Sequence, residues 1–418
     1  MKNPLRRYLP VFLILLFSLG GCSRFRFVSL QGIFMPKAVL PWSELQGGPL
    51  HWGYMPVEIS TPLKLHWVTP LSRKEGSVLH PERFTLENSR PTVSDGIIFV
   101  GSPSSGLLAL DWSKGGELWH SEQGIGVEST PAVLQDRVLF GTRNGIFYSV
   151  DIKTGEEIWH FESGVEILSS PTVAEGKVFF SNSRESLYAL EAATGEWLWQ
   201  VNREVFDKMT VRGTASPAVH AGKVYQGFFN GSVLCLEAQT GTLIWETQLP
   251  SEGQFTDVDG ALLVIPDLNQ LVAASFDGHL FGLSLDSGEI LWKEEKGGGG
   301  STVAYDGQKL YWTDREGTLI AIDPSNNGQI VWEKTLDVGF LSAPVVTESQ
   351  ILVASDAPGK IFLLDKKTGK ILEESWVSAG LHQPPTLVDG NLLIVSEKGS
   401  LYRFRPRYSR ATYTTTWE

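Results

Sequence analysis

Apolar and polar positions along this chain repeat with a period of about 40 residues, which is typical of a repeat architecture. Each copy holds short apolar or alternating runs separated by turn residues, and six copies close on a tryptophan, at Trp119, Trp159, Trp199, Trp245, Trp292 and Trp332. In the copy that ends at Trp159, the pattern predicts strands over residues 129–133, 137–141 and 145–150 and a fourth strand through Ile158. Four short strands per copy are typical of a β-propeller, in which one repeat is one blade. The sequence therefore predicts an all-β fold of four-stranded antiparallel blades.

A turn of similar composition precedes Trp119, Trp159 and Trp199. An Asp or Glu begins the turn and a Gly ends it, as Asp151 and Gly155 do before Trp159. The carboxylate can cap its own turn, and the glycine can adopt a positive φ. An indole on the fourth strand buries roughly 150–250 Å². We therefore expect the six repeat tryptophans, and Trp67 with them, to be structural residues between neighbouring blades.

The number of repeats predicts eight blades. Copies begin near Pro91, Pro131, Pro171, Pro217, Val264, Thr302, Pro344 and Pro385. The seventh copy has Glu373 in the tryptophan position, and the eighth ends one strand short, after Phe404. Residues 62–67 have the pattern of the missing strand, with Trp67 at its end. We predict one eight-bladed β-propeller over residues 62–405, closed by this N-terminal strand, because closure removes an open sheet edge.

Residues 1–21 have the features of a secretory signal peptide. Basic residues precede an apolar stretch over residues 9–19, which is too short for a permanent membrane anchor. Small residues before Cys22 resemble the bacterial lipoprotein signal, which implies cleavage before Cys22 and acylation of its thiol. An ordinary signal peptide with an incidental cysteine is the alternative. Ser23 follows, and by resemblance to enteric sorting rules it favours the outer membrane, with the protein facing the periplasm.

Two further segments flank the predicted propeller. Residues 22–61 form a lead-in that could act as a tether, but Trp52 and Tyr54 give it more aromatic content than a free linker usually has. We therefore expect part of it to pack on the propeller. Residues 406–418 form a polar C-terminal tail to which the sequence assigns no role.

Composition excludes several functional classes. The formal net charge is −12, and removal of residues 1–21 changes it to −15, which argues against nucleic acid as a partner. Cys235 lies in a predicted strand, and we expect it to be buried rather than reactive. The eight histidines have no metal-ligand spacing, and no nucleophile or phosphate-binding motif is present. The sequence therefore predicts no enzyme activity, no cofactor and no metal.

The repeat period breaks at two adjacent blades. The distance from Trp159 to Pro171 is 12 residues, whereas Trp199 to Pro217 is 18 and Trp245 to Val264 is 19. Longer connections on neighbouring blades create one raised patch on one face of the disc, and propellers commonly bind with such loops. We predict that this patch binds a protein partner.

The repeat itself, with its Leu-x-Ala-Leu-Asp and Thr-Gly-x-x-x-Trp segments, resembles the pyrroloquinoline-quinone-type propeller repeat. Together with the lipoprotein signal, it makes the chain similar to the BamB family, the lipoproteins of the outer-membrane β-barrel assembly machinery. The resemblance implies docking to the periplasmic domains of a BamA-like barrel subunit and possible contact with unfolded outer-membrane proteins. It also implies partner contacts on the two long loops, at Met209, Val211, Arg212, Asp257 and Asp259. The family usually has leucines where this chain has Met209 and Val211.

Other readings of these residues stay open. Arg212 could pair with Asp257 or Asp259 between blades, and the Asp-x-Asp segment could bind calcium, although a full calcium loop needs further oxygen ligands. The same repeat occurs in quinoprotein dehydrogenases, which are longer and often carry adjacent cysteines, and in propellers that bind other cell-envelope partners. The fold alone does not decide between these functions.

Overall fold

A computed structural model describes residues 43–71, 89–121, 126–203, 215–250, 257–258, 260–296 and 302–407. Residues Leu40–Glu418 form one compact unit. The predicted signal peptide and Cys22 lie outside the described residues.

The described chain forms eight four-stranded antiparallel sheets, which confirms the predicted eight-bladed propeller. Blade 1 consists of β2 (Thr92–Ser94), β3 (Ile97–Ser102), β4 (Gly106–Asp111) and β5 (Glu117–His120). Blade 2 consists of β6 (Ala132–Leu134), β7 (Arg137–Gly141), β8 (Ile146–Asp151) and β9 (Glu157–Glu162). Blade 3 consists of β10 (Thr172–Ala174), β11 (Lys177–Ser181), β12 (Leu187–Glu191) and β13 (Trp197–Val201). Blade 4 consists of β14 (Ala218–His220), β15 (Lys223–Gly227), β16 (Ser232–Glu237) and β17 (Leu243–Gln248).

The other four blades repeat this order. Blade 5 consists of β18 (Leu263–Ile265), β19 (Gln270–Ala274), β20 (Leu280–Ser284) and β21 (Ile290–Glu294). Blade 6 consists of β22 (Ala304–Tyr305), β23 (Leu310–Thr313), β24 (Thr318–Asp323) and β25 (Gln329–Thr335). Blade 7 consists of β26 (Val345–Val346), β27 (Gln350–Ser355), β28 (Lys360–Asp365) and β29 (Ile371–Trp376). Blade 8 consists of β30 (Thr386–Val388), β31 (Asn391–Ser396), β32 (Ser400–Pro406) and β1 (Leu63–Pro70). Short 3-10 helices occupy Leu45–Gly47 and Pro266–Leu268.

The repeat tryptophans lie between blades. Trp119 packs against Gly155 in the turn of the next blade, and its Nε1–H donates to the carbonyl of Ile152 at 3.1 Å. Glycines of the following blades meet Trp67, Trp159, Trp199, Trp245, Trp292 and Trp332 in the same way. Each indole therefore joins one blade to the turn of its neighbour through an apolar contact.

An N-terminal strand closes the ring. β1 pairs antiparallel with β32, from Leu63 opposite Pro406 to Pro70 opposite Ser400. Trp67 on β1 packs against Gly115 of blade 1, so the closing strand supplies the indole that the eighth repeat lacks. The backbone N–H of Leu63 donates to Glu373 Oε1 at 2.7 Å. The missing tryptophan of the seventh repeat is thus replaced by a carboxylate that binds the start of the closing strand.

Residues 43–59, here called the channel segment, run along the inner strands of the disc. Backbone N–H groups at the free edges of these strands donate to carbonyls of the segment: Val133 to Ser43 at 2.8 Å, Val219 to Pro49 at 3.0 Å, Val264 to Leu50 at 3.2 Å, Tyr305 to Trp52 at 2.7 Å and Val346 to Gly53 at 2.9 Å. The innermost strand of each blade borders the central channel of a propeller. The segment therefore occupies the channel and satisfies edge groups that would otherwise lack partners.

Side chains fix the channel segment as well. The Nε1–H of Trp52 donates to the carbonyl of Val264 at 2.7 Å, and the indole meets the Tyr305 ring edge-on, with centroids 5.4 Å apart. The Gln350 amide exchanges hydrogen bonds of 2.8 and 3.0 Å with the backbone of Ile59. The expected packing of the aromatic lead-in on the propeller is found for the part that the structure describes.

Candidate functional site

All connections between blades run from an outermost strand to the next innermost strand, so they share one face of the disc with the turns between second and third strands. We call this the loop face. The two long connections lie on it, from β13 to β14 and from β17 to β18. Met209, Val211, Arg212 and Asp259 lie outside the described residues, so their predicted contacts stay predictions. Asp257 is described and gives the position of the second loop.

Asp257 and Val258 connect the hairpin turns of blades 4 and 5. The N–H of Val258 donates to the carbonyl of Phe228 at 3.2 Å, and the N–H of Phe276 donates to the carbonyl of Asp257 at 2.8 Å. The Val258 side chain is fully buried. The base of the second long loop is therefore held by both neighbouring blades.

The Asp257 side chain points into the protein rather than to solvent. The residue is 3% exposed, and its charge raises the pKa of Glu185, although burial is the larger cause of that rise. Glu185 accepts a hydrogen bond from the backbone N–H of Phe229, and Arg203 acts on it in the opposite direction.

Arg203 stands at the start of the first long loop and was not singled out by the sequence. Its Nη2 donates to Glu246 Oε1 at 2.6 Å and to Ser232 Oγ at 3.0 Å. The guanidinium lies 5.3 Å from the centre of the Phe228 ring. These contacts fix the departure point of the loop on blade 4, because a charge-assisted pair and a ring contact restrain the same side chain.

The hairpin turns around the long loops present aromatic and basic side chains. Phe229 on blade 4 and Phe276 on blade 5 are half-buried, and Arg184 on blade 3 and Arg315 on blade 6 are exposed. Loop length does not distinguish these residues, because their turns have the ordinary length. The available signal was composition. Phe229 and Phe276 lie in turns, where a phenylalanine ring does not belong to the core of the blade.

The central channel is the other place where a propeller could bind a ligand. In the described residues, Glu44, Gln46 and His51 of the channel segment are buried there, with Arg90 of the first blade. Burial raises the pKa of Glu44 to about 7, opposed by a hydrogen bond from the N–H of Val173. Burial lowers the pKa of His51 to about 4, although its Nδ1–H donates to the carbonyl of Leu262 at 2.9 Å. The ionisable side chains in the channel therefore belong to, or interact with, the channel segment of the chain itself.

These pKa shifts predict a pH-dependent effect of Glu44→Gln. Between about pH 4.5 and 7 the folded protein retains a Glu44 proton that the unfolded chain has released, so stability from this group decreases as pH rises. We expect Glu44→Gln to be as stable as wild type near pH 4.5 and more stable above pH 7, by about 3 kcal/mol at most. Urea unfolding at pH 4.5, 6 and 8 measures the difference.

The pKa of His51 is shifted in the opposite direction from that of Glu44, and we expect the same His51 shift in wild type and in Glu44→Gln. The lowered pKa of His51 reduces stability as pH falls below about 6.5, and this contribution cancels when the variant is compared with wild type. A Glu44→Gln protein that gains no stability at pH 8, or gains as much at pH 4.5, would contradict the assignment of a buried, costly carboxylate.

Two classes of site are missing from the part of the chain that the structure describes. No group of three or more His, Cys, Asp or Glu side chains there could hold a metal ion. No helix in the same ranges is long and apolar enough to cross a membrane. Asp259 of the Asp-x-Asp segment lies outside these ranges, so the calcium alternative is untested there.

Comparison of the sequence with known proteins identifies one family. The family model described as "Outer membrane protein assembly factor BamB" matches residues 109–326, 277–360 and 325–418. Among individual relatives, the protein of that name from Salmonella typhimurium is 29% identical over 151 residues, and the one from Escherichia coli K12 is 28% identical over 151 residues. Each alignment covers 36% of this chain and 37% of the relative, so the chain spans just over a third of the length of these relatives.

Solved structures share the fold. BamB from Moraxella catarrhalis aligns with a TM-score of 0.66 and 20% identity, over 84% of this chain and 99% of that chain. The quinohemoprotein alcohol dehydrogenase from Comamonas testosteroni aligns with a TM-score of 0.71 and 16% identity, over 88% of this chain and 81% of that chain. At these identities the likeness establishes the eight-bladed fold and does not separate a scaffold from an enzyme.

Proposed function

The chain belongs to the outer membrane protein assembly factor BamB family, and from this premise we propose that it is a non-catalytic scaffold lipoprotein of the outer-membrane β-barrel assembly machinery. In this proposal Cys22 carries the lipid anchor, the propeller faces the periplasm, and the loop face docks to the periplasmic domains of a BamA-like barrel subunit. In this proposal Met209, Val211 and Arg212 on the first long loop and Asp259 on the second contact the partner, and the buried Asp257 belongs to the base of the second loop.

The observation that carries the proposal is that the two long connections, from β13 to β14 and from β17 to β18, leave adjacent blades on the same face. The family match spans both loops within residues 109–326. Arg203 and the Asp257–Val258 backbone fix the bases of the loops to blade 4 and its neighbour. A surface whose supports are already ordered loses less conformational entropy on binding.

The occupied channel supports a non-catalytic role. The chain's own channel segment hydrogen-bonds to inner strands of six blades, from Val133 on blade 2 to Val346 on blade 7. A small-molecule site normally requires a concave pocket that can enclose its ligand. In this propeller the corresponding space contains backbone and side chains of residues 43–59.

Client proteins would bind at the rim. The outermost strands present exposed apolar side chains, among them Trp197 at 53%, Leu243 at 51% and Trp376 at 66% exposure. An unfolded outer-membrane protein contains extended segments in which apolar and polar residues alternate. Such a segment can add as a strand to a free sheet edge and place its apolar side chains against these exposed residues. We therefore assign the loop face to the barrel subunit and the rim to extended client segments.

The test of the proposal is Arg212→Glu. Purified wild type is expected to bind the purified periplasmic domains of the barrel subunit from the same organism. Arg212→Glu is expected to weaken binding by roughly thirtyfold or more, because losing an arginine anchor typically costs about 2 kcal/mol and charge reversal adds repulsion. Calorimetric titration measures the affinity.

Lys153→Glu is the matched control, since Lys153 is an exposed cation on a turn of the opposite face. It should bind like wild type. No binding by wild type would favour a propeller with another envelope partner. Equal loss in both variants would refute the docking site, and an unfolded Arg212→Glu protein would support the alternative in which Arg212 pairs with Asp257 or Asp259 in the structure.

A further inference from the structure

Arg315 and Phe276 form a cation–π pair on the loop face next to the second long loop. Arg315 lies in the second hairpin turn of blade 6, and its guanidinium carbon is 4.2 Å from the centre of the Phe276 ring on blade 5. Phe276 in turn is joined to the loop by the hydrogen bond from its N–H to the carbonyl of Asp257, at 2.8 Å. The pair is therefore continuous with the base of the proposed docking patch.

Arg315 differs in its partners from three other basic residues of this face. Arg143 contacts Glu128 at 3.1 Å, Arg203 contacts Glu246 at 2.6 Å and Lys296 contacts Glu333 at 2.5 Å. Within the described ranges, no carboxylate lies at ion-pair distance from Arg315, which is exposed. Its charge is therefore available, in a chain whose net charge is −12.

The ring contact also prepares the guanidinium for recognition. An arginine whose guanidinium carbon lies over a phenylalanine ring can still direct its N–H donors to a carboxylate and bind it in a bidentate way. Because the ring already restrains the side chain, less rotamer entropy is lost on binding.

We propose that the Arg315–Phe276 pair is a second anchor of the docking surface, which binds a carboxylate beside an apolar side chain on the protein partner. The proposal rests on the proposed function, because the partner is the one that binds the long loops. It extends the contact surface from blades 3, 4 and 5 to blade 6. Charge complementarity selects an acidic partner surface, since Arg184 on blade 3 is also exposed and, like Arg315, has no carboxylate at ion-pair distance in the described ranges.

Arg315→Ala tests the proposal against a matched control. Arg143→Ala removes the arginine at the corresponding turn position of blade 2, on the same face but four blades away. We expect Arg315→Ala to weaken binding to the purified periplasmic domains of the barrel subunit by about tenfold or more, and Arg143→Ala to leave it within about twofold. Arg315→Lys should recover only part of the loss, because lysine keeps the charge but not the planar fork.

A double-mutant cycle with Phe276→Leu separates anchoring from simple charge. If the ring contact prepares Arg315, the two substitutions together should cost less than the sum of their separate effects. All variants should melt like wild type, which circular dichroism checks. Binding of Arg315→Ala equal to wild type would overturn this inference alone and leave the proposed function intact. Absence of wild-type binding would overturn the proposed function and this inference with it.

Discussion

A Trp52→Ala variant is expected to unfold well below the wild-type temperature, with a loss of about 3–5 kcal/mol, although Trp52 lies outside the repeat pattern. The substitution removes the indole donor to the Val264 carbonyl and the edge-on contact with Tyr305. It also leaves a cavity between the channel segment and blades 5 and 6, which the surrounding strands can fill only in part. Differential scanning calorimetry and urea unfolding measure the loss.

Trp376→Ala is the control with the same change of side chain. Trp376 is 66% exposed on the outermost strand of blade 7, and Lys360 Nζ lies 4.4 Å from its ring. Its removal should cost less than about 1 kcal/mol, the value of an exposed cation–π contact. Equal losses in the two variants would refute a specific role for the channel segment.

Hydrogen exchange gives a second measurement of the same role. The N–H groups of Val219, Val264 and Tyr305 donate to carbonyls of the channel segment. In Trp52→Ala they should exchange faster than amides in the middle of the blades, because local opening of the segment exposes them first. Unchanged protection of these three amides would mean that the segment does not depend on Trp52.

The blade architecture could be predicted because every blade solves the same packing problem. β7 has the predicted bounds, residues 137–141, and the glycine beside each tryptophan adopts the positive φ that its turn requires. The tryptophan and the glycine recur together because each indole packs on the glycine of the following blade. Periodicity therefore reports contacts that repeat.

Contacts that occur once left no such signal. The channel segment binds through backbone carbonyls of Ser43, Pro49 and Leu50, and any residue type supplies a carbonyl. Glu373 read as a degenerate repeat position, but its carboxylate accepts the N–H of Leu63 where the ring closes. Such roles depend on which strands the closed ring brings together.

The candidate site shows the same limit. Loop length located the second long loop, whose base the structure places at Asp257 between blades 4 and 5. Length could not reveal that the Asp257 side chain is buried, or that Arg315 of blade 6 lies over the ring of Phe276. Burial and contacts across blades depend on the angle between neighbouring sheets, which no local sequence pattern encodes.

The contact between tryptophan and glycine predicts a large effect of Gly155→Ala. Gly155 has φ +72°, and an added Cβ would lie 2.5 Å from Cε3 of the Trp119 ring. The positive φ costs an alanine about 1–2 kcal/mol, and displacement of a packed indole adds about 1–3 kcal/mol. We expect a total loss of about 2–5 kcal/mol in the free energy of unfolding, measured by urea denaturation.

Gly164→Ala isolates the contribution of the indole. Gly164 has φ +73°, nearly the same backbone conformation, but no atom lies within 4 Å of the position that its Cβ would occupy. This variant should therefore show only the conformational cost of about 1–2 kcal/mol. In a Trp119→Leu background, the difference between the two alanine variants should shrink, because the smaller side chain leaves room for the new methyl group. If Gly155→Ala and Gly164→Ala were equally destabilised, packing of the indole on the glycine would not be what joins one blade to the next.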